Sequence, residues 1–170
     1  ELTLEEIGKI TSSVKLPVEV FVHGALCIAY SGQCLTSEAL GGRSANRGEC
    51  AQACRLPYDL IVDGKHQDLG ERNYLVSPLD LAAPDLIEDL LKQGGSSVKI
   101  EGRLKSPQYV AATTQAYRKA LDTALAKEKL HWTEAEHREL AQSFSRGLSH
   151  GFLGGLNHQT LVPGLFPKNR

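Results

Sequence analysis

Apolar residues recur at positions 4, 7 and 10 with acidic residues among them, the stripe of an amphipathic helix over Leu2–Ile10 that Thr3 caps by pairing with Glu6. After Pro17, the β-branched and aromatic run Val18–Val22 predicts a buried strand that ends at His23-Gly24. Periodicity is then lost, and from about Gly24 to Arg55 the chain reads as irregular and glycine-rich. Tyr58–Val62 and Tyr74–Val76 flank the turn dipeptide Asp63-Gly64, which predicts a hairpin excursion whose polar tip is Lys65–Arg72. Ser77-Pro78 has the form of a helix N-cap and first helical residue, with Leu86, Ile87, Leu90 and Leu91 as the apolar stripe and Gly94-Gly95 as the stop.

Ser97–Glu101 predicts a short strand. A second Ser-Pro pair, Ser106-Pro107, opens a long helix to about Ala126, and Thr133 with Glu136 caps a last helix to about Phe144. Gly147 to Gly164 is again glycine-rich. Strands alternating with helices imply parallel strands covered by helices, an α/β architecture in one domain spanning residues 1–170.

Composition narrows the function classes. With 41% apolar and 23% charged residues the chain is an ordinary globular sequence, and its formal net charge of -1 gives it no overall pull on nucleic acid. Any RNA contact must come from a local patch. The most hydrophobic stretch, Leu16–Tyr30, is interrupted by Glu19 and His23 and falls short of a bilayer span, and nothing has the form of a signal peptide, so a cytoplasmic location is expected. The chain opens at Glu1 and contains no methionine, which reads as an internal piece of a longer protein.

All four cysteines fall between residues 27 and 54, as Cys27-x6-Cys34-x15-Cys50-x3-Cys54. In a reducing compartment, thiols gathered in this way point to metal binding or catalysis before disulfides. The spacing fits the short knuckles of structural zinc sites poorly, whereas an iron–sulfur cluster such as [4Fe–4S] tolerates varied spacing; zinc and unligated thiols remain alternatives. Between the cysteine pairs, Gly41-Gly42-Arg43-Ser44-Ala45-Asn46-Arg47-Gly48 offers backbone amides and two guanidinia for a phosphate or carboxylate, or else simply wraps a metal site.

Lys99, Glu101 and Arg103 alternate along a strand and its exit, so they share one face at the carboxyl end where parallel α/β folds carry their sites, unless they form an internal ion-paired cluster. Glu19 and His23 on a buried strand must be paired or functional, with His23 available as a base. His150 and His158 either ligate a metal or line a cleft. No Gly-x-Ser-x-Gly elbow and no His-Glu-x-x-His helix supports a serine hydrolase or a familiar zinc protease.

Glu19-Val-Phe-Val-His-Gly-Ala-Leu-Cys27 with Tyr30-Ser-Gly-Gln-Cys34-Leu-Thr-Ser37 resembles the signature of the collagenase-like peptidase U-32 family. Gly42-Arg-Ser-Ala-Asn-Arg-Gly-Glu-Cys50-Ala-Gln-Ala-Cys54-Arg55 and Lys99-Ile-Glu-Gly-Arg-Leu-Lys105 bring it nearer to the branch of bacterial 23S ribosomal RNA hydroxylation proteins. The resemblance implies the C-terminal part of a TIM-barrel-like domain with a cysteine-rich irregular insertion over residues 24–55, and a 4Fe–4S cluster on Cys27, Cys34, Cys50 and Cys54. It also implies RNA, ribosomal or transfer, and prephenate as partners, with Arg43, Asn46, Arg47, Arg55 and Lys99 as substrate-binding residues and Glu101, Arg103, His23 and Glu19 as catalytic ones. A complete barrel needs about 250 residues, so the missing N-terminal part of the barrel or another subunit is expected to complete the site. The family label carries a peptidase as an alternative activity, and a zinc or cluster-binding scaffold is a third.

Overall fold

A computed structural model describes residues 1–102, 104–143, 145–155 and 157–165. In chain order its elements are α1 (Leu4–Ser13), β1 (Glu19–Gly24), α2 (Thr36–Gly41), β2 (Leu60–Val62), β3 (Lys65–Gln67), β4 (Asp80–Ala82), α3 (Ile87–Lys92), β5 (Ser97–Ile100), α4 (Pro107–Leu125), α5 (Glu134–Ser143), β6 (Leu148–Ser149) and α6 (His158–Leu161). The chain divides into two compact units, one from residues 1–25 with 80–155 and the other from residues 26–79 with 157–165.

The first unit is α/β. Its sheet has the order β5-β1-β4-β6, with β1 parallel to β5, antiparallel to β4, and β4 parallel to β6. The expectation of purely parallel strands is corrected by β4. Asp80–Ala82 lies where Ser77-Pro78 predicts the start of a helix, but all three residues are buried in the sheet, and the helix is delayed until a 3-10 turn at Pro84–Leu86 leads into α3. Tertiary pairing overrides the local N-cap signal, because Asp80 finds a buried partner only as part of the sheet. The predicted stripe of α3 survives in part, with Ile87 and Leu90 both buried.

The other helices form as their sequences dictate. Thr3 and Glu6 close a reciprocal capping box on α1, and Thr133 and Glu136 make the same contacts at α5. Ser106 accepts a hydrogen bond from the Tyr109 amide at 3.2 Å and Pro107 occupies the first turn of α4. That helix buries Tyr109, Thr113, Ala116, Tyr117 and Ala120, a stripe with helical period. Among the described residues no helix is long and apolar enough to cross a membrane.

In the second unit the hairpin differs from the expectation. β2 and β3 are joined directly by Asp63-Gly64, both with positive φ (51° and 74°), the backbone of a two-residue type I′ turn. Lys65–Gln67, read as the start of a polar tip, are therefore the second strand. Lys65-His66-Gln67 shows no apolar alternation because the hairpin is exposed on both faces. Tyr74, assigned to a strand with Val76, lies outside the strands and forms an isolated bridge to Gly164. The cysteine segment contains the short helix α2 and two 3-10 turns at Ala45–Arg47 and Ala53–Arg55, linked by irregular chain.

Candidate functional site

Two groups of polar residues stand out, one in each unit. In the α/β unit the decisive local event is an irregularity in β1. Phe21 aligns with Lys99 and His23 with Ile100, so Val22 is an extra residue against β5, a β-bulge. Glu19 and Phe21 face solvent while Val20 and Val22 are buried, and continued alternation would expose His23. The bulge turns it inward, and His23 is only 2% exposed.

The buried ring sits among aromatics of α4, 5.8 Å from the Tyr109 ring and 5.6 Å from that of Tyr117. His23 Nδ1 lies 3.2 Å from the Tyr117 hydroxyl. That hydroxyl donates to the Val22 carbonyl and accepts from the Ala83 amide at 2.9 Å. Burial pulls the His23 pKa down to about 4, against a smaller upward pull from Asp80, so the ring is uncharged at neutral pH. Burial likewise raises Tyr109 to about 12, with Glu101 and Asp80 adding to the shift, and raises Tyr117 further still.

The carboxyl ends of β1 and β5 are held together at this point. The Glu101 amide donates to the His23 carbonyl at 2.9 Å, and the Tyr109 hydroxyl donates to the Glu101 carbonyl at 3.0 Å. Gly24 has φ 132°, and a Cβ there would stand 2.5 Å from the Cβ of Glu101, so only glycine permits the approach. Asp80 enters the same end of the sheet from β4. It accepts from the Arg146 amide at 2.9 Å and from Arg146 Nη1 at 2.8 Å, with both side chains almost fully buried. Lys105 completes the group; burial lowers its pKa, as does Arg146, while Glu101 and Asp80 oppose them.

The structure thus brings His23 and Glu101 together. Glu19 and Lys99 pair with each other at 2.9 Å on the exposed face, where Lys99 also lies 5.2 Å from the Phe21 ring. Arg103 lies outside the described residues. Sequence reasoning misses Asp80, Arg146, Tyr109 and Tyr117. The available signal is that α4 buries two tyrosines on one face, since buried hydroxyls need partners.

In the second unit no disulfide joins the four cysteines, of which Cys27 and Cys50 are exposed and Cys34 and Cys54 half-buried. Burial raises the Cys54 thiol, Arg55 opposes this, and Cys50, Cys27 and Cys34 each push it up further, so all three other sulfurs lie within electrostatic reach of Cys54. Among the described residues no three His, Cys, Asp or Glu side chains form a ready site for a metal ion. Cys50 Sγ accepts from the Gln52 amide at 3.3 Å, and Gln52 itself has a left-handed backbone (φ 56°). Buried Ser37 accepts from the Ala51 amide at 3.1 Å and directs its hydroxyl toward Cys50 Sγ at 4.0 Å.

The Asn46 side chain accepts from the Cys34 amide at 3.3 Å, tying the central loop to the cysteine pair before it. Arg43 and Arg47 are exposed. Arg55 is buried and donates to Ser77 Oγ at 3.0 Å, to the Pro78 carbonyl and to the Leu26 carbonyl at 2.7 Å, so it fastens the start of the cysteine segment to its end. No disulfide joins the four thiols, which are soft donors by type, but among the described residues they are not gathered into a metal-binding group.

Comparison with known proteins draws these observations together. The chain matches the family described as Peptidase family U32 over residues 1–163. It is 40% identical over 153 residues to a 23S rRNA 5-hydroxycytidine synthase of Escherichia coli, covering 90% of this chain and 22% of that protein. It is 37% identical over 161 residues to the tRNA hydroxylation protein P1 of Bacillus subtilis (86% of this chain, 38% of that protein). A collagenase of Porphyromonas gingivalis is 37% identical over 143 residues, covering 81% of this chain and 38% of that protein. The chain therefore spans well under half the length of these curated relatives. No solved structure matches it. From Glu1 through the cysteine segment and both strand ends, this chain belongs to peptidase family U32.

Proposed function

We propose that the chain is part of an iron–sulfur RNA hydroxylation factor that adds a hydroxyl to a pyrimidine of ribosomal or transfer RNA in a prephenate-linked reaction. The observation that carries this reading is the 40% identity, over nine-tenths of the chain, to a protein named as a 23S rRNA 5-hydroxycytidine synthase. On this reading Cys27, Cys34, Cys50 and Cys54 hold a 4Fe–4S cluster, and residues 24–55 are its binding segment. Bound, such a cluster supplies one-electron redox chemistry. The chain's own contribution is to present four thiols, to donate the Gln52 amide and the Ser37 hydroxyl toward the Cys50 sulfur, and to hold the segment through Arg55.

Exposed Arg43 and Arg47 supply the local positive charge that a chain of net charge -1 otherwise lacks for a phosphate backbone or a dicarboxylate. His23, Glu101, Lys105 and the Asp80–Arg146 pair form the polar end of the sheet, as expected for the carboxyl edge of a barrel fragment whose remaining strands come from another part of the protein. A cytoplasmic location belongs to the same reading. Mass spectrometry of ribosomal and transfer RNA from cells lacking the gene tests it: one pyrimidine nucleoside should lose one oxygen, and unchanged RNA would refute it.

Similarity to a collagenase favours a second reading, peptide hydrolysis. Burial pushes the Cys54 thiol up, away from the thiolate form that a nucleophile at that position needs. Gelatin cleavage by the full-length gene product that vanishes on replacing the cysteines by serine would support the second reading.

A further inference from the structure

The Tyr117 hydroxyl has one proton to give and two lone pairs to offer. Its proton goes to the Val22 carbonyl, and the Ala83 amide takes one lone pair. The contact with His23 Nδ1 at 3.2 Å can then be completed only if that nitrogen carries the proton. Val22 and Ala83 belong to the sheet and its exit, so the hydroxyl is fixed by backbone on two sides and cannot turn to suit the histidine. With Nδ1 protonated, Nε2 carries the lone pair, and no described residue engages it. The ring stands at the carboxyl ends of two parallel strands, beside Glu101 and Asp80.

We propose that Tyr117 is a positioning residue that locks His23 in the Nδ1–H tautomer, so that Nε2 serves as a hydrogen-bond acceptor for an O–H or N–H donor of a bound ligand. The functional part of this inference rests on the hydroxylation reading; the tautomer does not. Burial of the ring among Tyr109, Tyr117 and Asp80 keeps the acceptor unprotonated across the neutral range. Positions of this kind are what a ligand hydroxyl or amino group needs, because a charged imidazolium offers only donors.

Two arms test the inference separately. Long-range proton–nitrogen correlation spectra of nitrogen-labelled protein at pH 7 should show His23 protonated at Nδ1, and Tyr117→Phe should lose that single state. An Nε2–H or doubly protonated ring in the wild-type protein, or an unchanged tautomer in Tyr117→Phe, would overturn the proposal. The second arm measures the hydroxylated nucleoside in cells carrying variants of the full-length gene. His23→Asn keeps a donor near the Nδ1 position for Tyr117 but has nothing at Nε2, whereas His23→Gln places a carbonyl near Nε2. Loss of an acceptor bond predicts about tenfold less product for Asn than for Gln. A purely structural histidine predicts the reverse order, which would overturn the ligand role. Absence of any hydroxylated nucleoside in the wild type would sink the hydroxylation reading, and the spectra alone would then decide the tautomer.

Discussion

Because His23 is buried uncharged, this protein should lose stability as the pH falls from 6.5 toward 4. The group ordinarily titrates near 6.5 and is held at about 4 in the folded chain. Above pH 6.5 the ring is neutral in both states and contributes no difference. As pH falls below 6.5 the unfolded chain takes up a proton that the folded chain refuses, so stability declines until the pH nears 4. One proton corresponds to about 1.4 kcal/mol per pH unit, or about 2 kcal/mol between pH 6.5 and 5 and about 3 kcal/mol over the whole window. Restricting the measurement to pH 6.5–5 keeps it above the range in which most carboxylates titrate. Urea midpoints of wild type and His23→Gln at pH 7, 6.5, 6, 5.5 and 5 provide the assay, and the other histidines, common to both proteins, cancel in the difference. Wild type should lose about 2 kcal/mol more than the variant across the window. Parallel pH profiles would refute the claim that the bulge in β1 buries an uncharged ring.

The ion pairs divide by burial. Asp80→Ala leaves Arg146 charged inside the protein and should destabilise by about 3 to 5 kcal/mol in denaturant titrations, most of it relieved when Arg146 is also replaced by an apolar residue. Lys99→Ala, which removes an exposed partner of Glu19, should leave the denaturation midpoint unchanged within error. Ser106→Ala deletes the cap of α4 and should cost about 1 kcal/mol by the same assay.

Local signals were legible where local chemistry decides. Thr3 with Glu6 and Thr133 with Glu136 announce helix starts because both partners lie within one turn. Ser106-Pro107 succeeds for the same reason. Ser77-Pro78 carries an identical signal and fails, since the residues after it are claimed by β1 on one side and β6 on the other. The pair formed by Asp80 and Arg146 joins residues 66 positions apart, which no window along the chain reveals. His23 was visible as a polar residue in an apolar strand; what made it buried is a one-residue bulge, and alternation counts straight through such a bulge. In the cysteine segment composition singled out four thiols, while the donors around Cys50, the Ser37 hydroxyl and the Gln52 amide, depend on a backbone turn with no sequence signature of its own.

The central claim is that Cys27, Cys34, Cys50 and Cys54 act together as ligands of an iron–sulfur cluster. Iron, sulfide and zinc content of the full-length gene product purified without oxygen tests it most directly. A brown protein with about four irons and four sulfides per chain, lost when any of the four cysteines is replaced by serine, is the predicted result. A colourless protein holding one zinc, or no metal at all, would contradict it.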